Sequence, residues 1–471
     1  MYQIKNTEIE IDRDKPFANC KLGRWQYARV LEKLISRNHQ GGVISLNGKW
    51  GTGKTTFVRM FAQMLENKGY PTILFNAWET DFISDPLIAL IGELEAVNKQ
   101  SISALEAVKD AAAKISKGIG PALAKDLIKK CVGEDTSNLL INSIENEVRT
   151  FKAELERYNE EKRSITEFRS LLTKYVSEIT KNAPLVFIID ELDRCNPHYA
   201  VKVLERVKHL FSISNIVFIL SIDKEQLCNS IKGYYGSESI DSNEYLRRFI
   251  DVEYHLPSPN YEDYIEFELS RLDFASFFSR SRQFEEWEDS FRRLVTSLSD
   301  HSKMTLRQIQ KMLVQLRLSY STLNIENEMS ANLLTPLFLL LYFRTFAPAL
   351  YESMKARSLT LEELVNQIEN ALPTSYFSNS NDDEYYTHTL IFAFVALLKS
   401  YTSIGFRGVT YPLLRKKVNA QSPDELSFTV RKFNSEAVLK AVLYYMSHPP
   451  YFGDIEYFIN YIELYQQLQE N

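Results

Sequence analysis

The chain has 471 residues, too many for one compact core, so two or three folding units are expected. Apolar content of 45% and charged content of 25% suit an ordinary globular protein, and a net charge of −6 gives no overall drive toward nucleic acid or anionic membranes. Four cysteines (Cys20, Cys131, Cys195, Cys228) lie far apart without a C-x-x-C pair, and the histidines show no metal-binding spacing; this predicts a reducing compartment and argues against zinc.

The amino-terminal stretch "MYQIKNTEIEIDRDKP" is charged and lacks an apolar h-region, so no signal peptide is expected. "VISLN" (43–47) is an apolar run ending at Gly48, and "TTFVRMFAQMLENKG" follows with helical spacing and a stop at Gly69. A second strand is predicted at "TILFNAW" (72–78), and further buried strands at "PLVFIID" (184–190) and "NIVFILSID" (215–223). "YAVKVLERVKHLFS" between those two reads as a helix. The order strand, helix, strand predicts an α/β, doubly wound parallel-sheet core.

Residues 95–180 exceed what the sheet needs. They are rich in Ala, Lys and Glu and predict a helical insertion, broken near Gly118–Pro121. Pro257 and Pro259 mark a boundary, after which amphipathic helical patterns continue to the end. "LLTPLFLLLYF" (333–343) falls short of the roughly 18 apolar residues a membrane helix needs and predicts a buried helix. "SNSNDDEYY" (378–386) predicts an exposed loop, and the basic run Arg415, Lys416, Lys417 a solvated face. The expected division is 1–94 and 181–260 for the two halves of the core, 95–180 for the insertion, 261–325 for a helical lid, and 326–471 for a C-terminal helical domain.

The chemistry concentrates in "SLNGKWGTGKTTFV" (45–58), which fits G-x-x-x-x-G-K-[ST] in the strand–loop–helix context a phosphate loop requires. Gly48, Gly51 and Gly53 let successive backbone N–H groups of the loop, with Lys49, Trp50, Thr52 and Thr56, turn toward phosphates at a helix N-terminus. Lys54 would reach the β- and γ-phosphates, and Thr55 would ligate Mg²⁺. "VFIIDE" is expected to place Asp190 and Glu191 at the neighbouring strand end, beside the loop in a parallel sheet; there Asp190 suits the Mg²⁺ shell and Glu191 suits a base polarising water, and the alternative is a capping acid before the next helix. Ser221 and Asp223 after the fourth strand suit a γ-phosphate or water sensor, or an ordinary strand-end cap. Arg247 and Arg248 in "YLRRFIDVEYHLP" could stabilise charge on a neighbouring subunit's nucleotide, or be a surface pair. Arg307, opening the amphipathic "MTLRQIQKMLVQL", could touch the γ-phosphate from a lid, or be solvated.

Taken together, "GKWGTGKT", "FNAW", the long insertion, "IIDELDRC" and "YLRRF" resemble the KAP family of P-loop NTPases, allied to the AAA+ and STAND ATPases. The resemblance runs from about Asp14 to Leu318 and implies that "KLGRWQYARVLEKLI" (21–35) packs near the base, with Leu22 and Arg24 as candidates there. Where the family commonly writes Asp-Asp, this chain has Asp190-Glu191, and its insertion is too charged to cross a bilayer as many relatives' insertions do. The resemblance further implies a bacterial setting and raises defence against phage as an expectation.

The resulting expectation is a cytoplasmic, Mg²⁺-dependent ATPase acting as a conformational switch, oligomeric or paired with a partner protein from the same system. Two rivals stand beside it: an ATP-gated scaffold with little hydrolysis, and a nucleic-acid-directed ATPase. The acidic charge and the lack of an aromatic-basic groove argue against the last.

Overall fold

A computed structural model describes residues 9–38, 40–97, 102–118, 139–180, 183–257, 260–278, 284–322, 333–373, 384–401 and 455–467. The chain divides into two compact units, 8–258 and 259–471.

The first unit is built on a five-stranded sheet in the order β2-β3-β4-β1-β5. The strands are β1 (Gly42–Asn47), β2 (Thr72–Asn76), β3 (Leu185–Asp190), β4 (Ile216–Ile222) and β5 (Val252–His255), and every pairing is parallel. Two-sided burial explains the unbroken apolar runs of β3 and β4, in which every residue is buried. Alternate residues serve different layers. Ile44, Leu46, Val186, Ile188, Val217 and Ile219 pack with α1 (Trp25–Ser36) and α2 (Lys54–Asn67). Val43, Phe75, Phe187, Ile189, Phe218 and Leu220 face the opposite layer.

That opposite layer holds α3 (Pro86–Val97), α4 (Ile102–Gly118), α5 (Leu139–Ile179), α6 (Pro197–Leu210) and α7 (Lys224–Tyr235). The expected insertion therefore contributes α4 and α5, while residues 119–138 lie outside the described residues. Leu105, Val108 and Ile115 of α4 share one core with Phe168, Leu172 and Val176 of α5. The Tyr175 hydroxyl donates to the Leu94 carbonyl at 2.8 Å, and Phe168 meets Phe211 edge to face at 5.8 Å, so the insertion is packed onto the unit that carries it.

Two expectations need correction. The strand expected over 72–78 ends at Asn76, because the Asn76 side-chain oxygen accepts the Trp78 N–H and starts a 3₁₀ turn, Trp78–Thr80. More consequentially, β3 is not beside the strand that feeds the phosphate loop. β4 lies between them, pairing β1 on one side and β3 on the other. β4 follows β1, β2 and β3 in the chain yet sits between β3 and β1 in the sheet, an order that apolar runs cannot reveal.

The second unit is helical, with α8 (Ser242–Arg247) closing the first unit before β5 and α9 (Tyr261–Arg271) opening the second. It continues through α10 (Ala275–Phe278), α11 (Phe284–His301), α12 (Leu306–Thr322), α13 (Leu334–Phe346), α14 (Pro348–Lys355), α15 (Leu361–Ala371), α16 (Glu384–Tyr401) and α17 (Ile455–Gln467). One apolar cluster runs from Ile265 to Ile462. The run expected to be a buried helix is α13, buried from Leu334 through Phe343, with Pro336 harmlessly in its first turn. Among the described residues no helix is long and apolar enough to cross a membrane. The loop expected at 378–386 falls mostly outside the described residues, but Glu384, Tyr385 and Tyr386 begin α16 instead. Arg415, Lys416 and Lys417 also lie outside them.

Candidate nucleotide site

The loop from Gly48 to Gly53 joins β1 to α2 at the carboxyl edge of the sheet. Gly51 and Gly53 adopt φ of 76° and 83°, a region that strains any residue with a Cβ. A Cβ on Gly48 would come within 3.2 Å of Thr52 Oγ1 and 3.4 Å of the Lys54 side chain, so the loop closes tightly on its own base. Lys54 is only 8% exposed and donates its ammonium to the carbonyls of Gly48 at 2.5 Å and Lys49 at 3.2 Å. Burial lowers its pKa, opposed by the carboxylates of Asp193, Asp223 and Asp190. Thr55 and Thr56 are half-buried in the first turn of α2, while Lys49 and Trp50 are exposed.

Asp190 and Ser221 sit at strand ends facing the same layer. Asp190 and Ser221 stand opposite one another in the β3–β4 register, and Ser221 stands opposite Leu46 of β1. Since Ile188, Ile219 and Leu46 face α2, strand alternation puts Asp190 and Ser221 on the α2 side. Asp190 is 4% exposed, and the fully buried Ser221 hydroxyl has no hydrogen-bond partner among the described residues. An unanswered buried hydroxyl beside a buried carboxylate is a polar place waiting for a partner.

Glu191 follows in the left-handed region, at φ 61°, a strain of roughly 1–3 kcal/mol for a residue with a side chain. Burial raises its carboxyl, with Arg194 pulling it back down and Asp190 pushing it further up. Arg194 reaches that carboxylate at 2.8 Å from the 3₁₀ turn Leu192–Arg194, and its guanidinium also lies over the half-exposed Trp78 ring at 5.6 Å.

Asp193, in the same turn, is a participant that sequence reasoning passed over. It is 5% exposed, and its Oδ2 accepts both the Trp50 indole N–H at 2.5 Å and the Asp223 backbone N–H at 2.9 Å. Asp223 in turn accepts the Trp50 backbone N–H at 3.0 Å while capping α7. The signal was present in "DELDRC": a third acid beyond Glu191, more than a metal site and a base require.

Arg24 is 2% exposed at the start of α1 and donates to the carbonyls of Gly53 at 3.3 Å and Pro257 at 3.4 Å. Its Nε has no hydrogen-bond partner among the described residues, and burial lowers its pKa to about 10. Leu22, two residues earlier, is half-buried. Arg247 and Arg248 are both exposed at the end of α8, where Arg247 is ion-paired to Glu244. Arg307 is exposed at the second position of α12, in the helical unit.

The structure thus brings Lys54, Asp190, Glu191 and Ser221 to one edge of one sheet, with Arg24 against the loop's last glycine. The donor set of a Thr55 hydroxyl and an Asp190 carboxylate consists of hard oxygens, which suits Mg²⁺. The family model for the KAP family P-loop domain matches residues 24–323.

The chain belongs to the KAP family.

Its KAP P-loop domain spans the sheet, the loop, both acidic strand ends, Arg247, Arg248 and Arg307. No curated protein matches the chain. Among solved structures it is similar to an Aeropyrum pernix ORC2 protein in ADPNP–ADP complexes, at 13% identity, 90% coverage of this chain and 95% of that one, with a TM-score of 0.34. It is also similar to Drosophila ORC bound to DNA, at 13% identity, 97% and 88% coverage, with a TM-score of 0.30. Family membership carries a nucleotide as the ligand class for this KAP domain, usually with Mg²⁺.

Proposed function

We propose that the chain is a Mg²⁺-dependent ATPase that works as a nucleotide-driven switch. The observation that carries this is the Lys54 ammonium, held in a glycine-rich loop and surrounded by Asp190, Asp193 and Asp223, with Glu191 next along the chain.

In this reading the loop amides and the α2 N-terminus hold the triphosphate, and Lys54 exchanges the Gly48 and Lys49 carbonyls for phosphate oxygens. Thr55 and Asp190 would hold Mg²⁺, which neutralises phosphate charge when bound. Glu191 accepts a proton from the attacking water as the water oxygen bonds to the γ-phosphorus and the β–γ bridging oxygen departs with ADP. Its raised pKa makes it a better proton acceptor, and it must leave Arg194 to act. Ser221 would answer the γ-phosphate or the water. Leu22 and Arg24 stand for the base side of the nucleotide, and Arg247, Arg248 and Arg307 for charge stabilisation from an oligomer neighbour or the helical unit; these last roles rest on family membership.

Glu191→Gln tests the proposal. Mg²⁺-ATP should still bind, while phosphate release falls by about 10²–10⁴-fold. If wild type and variant both release phosphate only at background rate, hydrolysis is not the switch. A second reading then takes over, an ATP-gated scaffold, which the Glu191–Arg194 ion pair favours because it occupies the candidate base. A role in defence against phage is checked by plating efficiency on cells expressing the chain or its Lys54→Ala variant, which should give no protection.

A further inference from the structure

Phosphate binding does not require a tryptophan inside the loop, yet Trp50 is tied at both backbone and side chain to segments outside the loop. Its indole N–H and its backbone N–H go to two different carboxylates on two different segments. The Asp193 oxygen that takes the indole also takes the Asp223 N–H, and the Asp223 side chain takes the Trp50 N–H. Three hydrogen bonds therefore close a ring through the β1–α2 loop, the turn after β3 and the end of β4. That ring spans the strand order: it joins β3 to the loop across the intervening β4.

We propose that Asp193 is the positioning residue of the phosphate loop, acting through Trp50. This role rests on the nucleotide reading above for its purpose and on the ring of hydrogen bonds for its existence. A loop with three glycines between 48 and 53 has much backbone freedom to lose when it wraps a phosphate. Fixing one of its residues at both backbone and side chain before ligand arrives removes part of that cost, and affinity rises accordingly. An indole suits this work because it is a donor only, so one acceptor fixes its orientation. Trp50 is 42% exposed, so it is not a core residue and its N–H groups carry the tether. Asp193 suits it because a buried carboxylate oxygen can accept two donors at once, and charge-assisted bonds are short and strong.

The ring predicts which substitutions are equivalent. Trp50→Phe removes the indole donor, Asp193→Ala removes the acceptor, and Asp193→Asn keeps an amide oxygen for both donors. The experiment uses the full chain, ¹⁵N-labelled. Its four tryptophans give four indole N–H resonances, and Trp50→Phe identifies one by deleting it. That resonance should lie downfield in wild type and Asp193→Asn and move upfield in Asp193→Ala. Mg²⁺-ATP dissociation constants are then measured on the same samples. Trp50→Phe should weaken binding by about tenfold and Asp193→Ala by at least as much, because it also strips the Asp223 N–H of its acceptor; the double variant should be no weaker than Asp193→Ala, which has already lost the indole bond. Asp193→Asn should recover to within about threefold of wild type.

Wild type that binds Mg²⁺-ATP, with an indole resonance unmoved by Asp193→Ala, overturns the ring. So do single losses that multiply to about a hundredfold in the double variant. Wild type that binds no Mg²⁺-ATP removes the nucleotide reading itself, and the indole resonance tells the two failures apart.

Discussion

Buried charge occurs in both units, and it behaves differently in each. In the α/β unit Arg24, Lys54, Asp190, Asp193 and Asp223 are all under a tenth exposed, and they gather around the loop and the carboxyl ends of β3 and β4. In the helical unit Glu268 and Arg317 are as deeply buried, but each is answered close by. Glu268 takes two donors from Arg271, one helical turn away, and Arg317 donates to the Leu272 carbonyl at 2.9 Å while lying over Phe277 at 4.0 Å. Burial of charge alone therefore does not mark a site. What distinguishes the first unit is convergence of charge from several segments onto one sheet edge.

The sharpest way to break this contrast is to remove one cation from each unit. Lys54→Ala should weaken Mg²⁺-ATP binding by about a hundredfold or more, the size of losing charge-assisted bonds to phosphate. Turnover should vanish with it, while melting falls less than in the helical-unit variant, because the hydrogen bonds Lys54 donates stay within its own loop and only its attraction to Asp193, Asp223 and Asp190 reaches other segments. Arg317→Ala should show the opposite pattern. It strips a buried carbonyl of its donor and opens space beside Phe277, a loss of about 2–4 kcal/mol in stability read as a lower melting temperature. Equal melting temperatures for the two variants would erase the distinction between a site cation and a structural one.

Acidity probes the same contrast on the anionic side. Glu191 must be ionised to accept a proton, and burial raises its pKa above the ordinary 4.5. Turnover should therefore fall on the acid side at a higher pH than an exposed glutamate would give. Arg194 holds that pKa down, so Arg194→Ala should shift the acid limb further upward. The linkage to stability has its own sign: a raised carboxyl favours the folded state below about 4.5, and that contribution is lost as pH rises through the folded value. Superimposed pH–rate profiles for wild type and Arg194→Ala would show that Arg194 does not hold the base.

Much of the first unit was legible because its strands are buried on both faces. β1, β3 and β4 wrote themselves as apolar runs, and Gly48, Lys54, Asp190 and Glu191 sat at their ends. The order of those strands was not legible, since apolar runs carry no record of which neighbour each will hydrogen-bond; hence β4, not β3, flanks β1. Asp193 and the purpose of Trp50 were hidden for a related reason. Their bond spans 143 positions and depends on a turn geometry that begins with a strained Glu191, and local pattern reading reaches neither. The helical unit was legible as helices, with α13 as its buried axis, because amphipathic spacing is a local signal.

The smallest expected effect concerns the exposed arginines of α8. As a surface pair one turn apart, Arg247 and Glu244 contribute no more than about 0–1 kcal/mol to stability, so Arg247→Ala should leave melting nearly unchanged. Both Arg247 and Arg248 are exposed, which leaves them open to the nucleotide of a neighbouring subunit, the catalytic role proposed for them. That predicts a particular kind of rescue. A Lys54→Ala subunit cannot hold nucleotide but keeps its arginines, and an Arg247→Ala/Arg248→Ala subunit holds nucleotide but lacks them. Mixed, they form some interfaces at which intact arginines face an intact loop, and turnover should reappear in the mixture though absent from either variant alone. Its dependence on total protein concentration would report the assembly step. If assembly is intact by light scattering and no turnover returns, Arg247 is only the surface partner of Glu244 and Arg248 only an exposed charge.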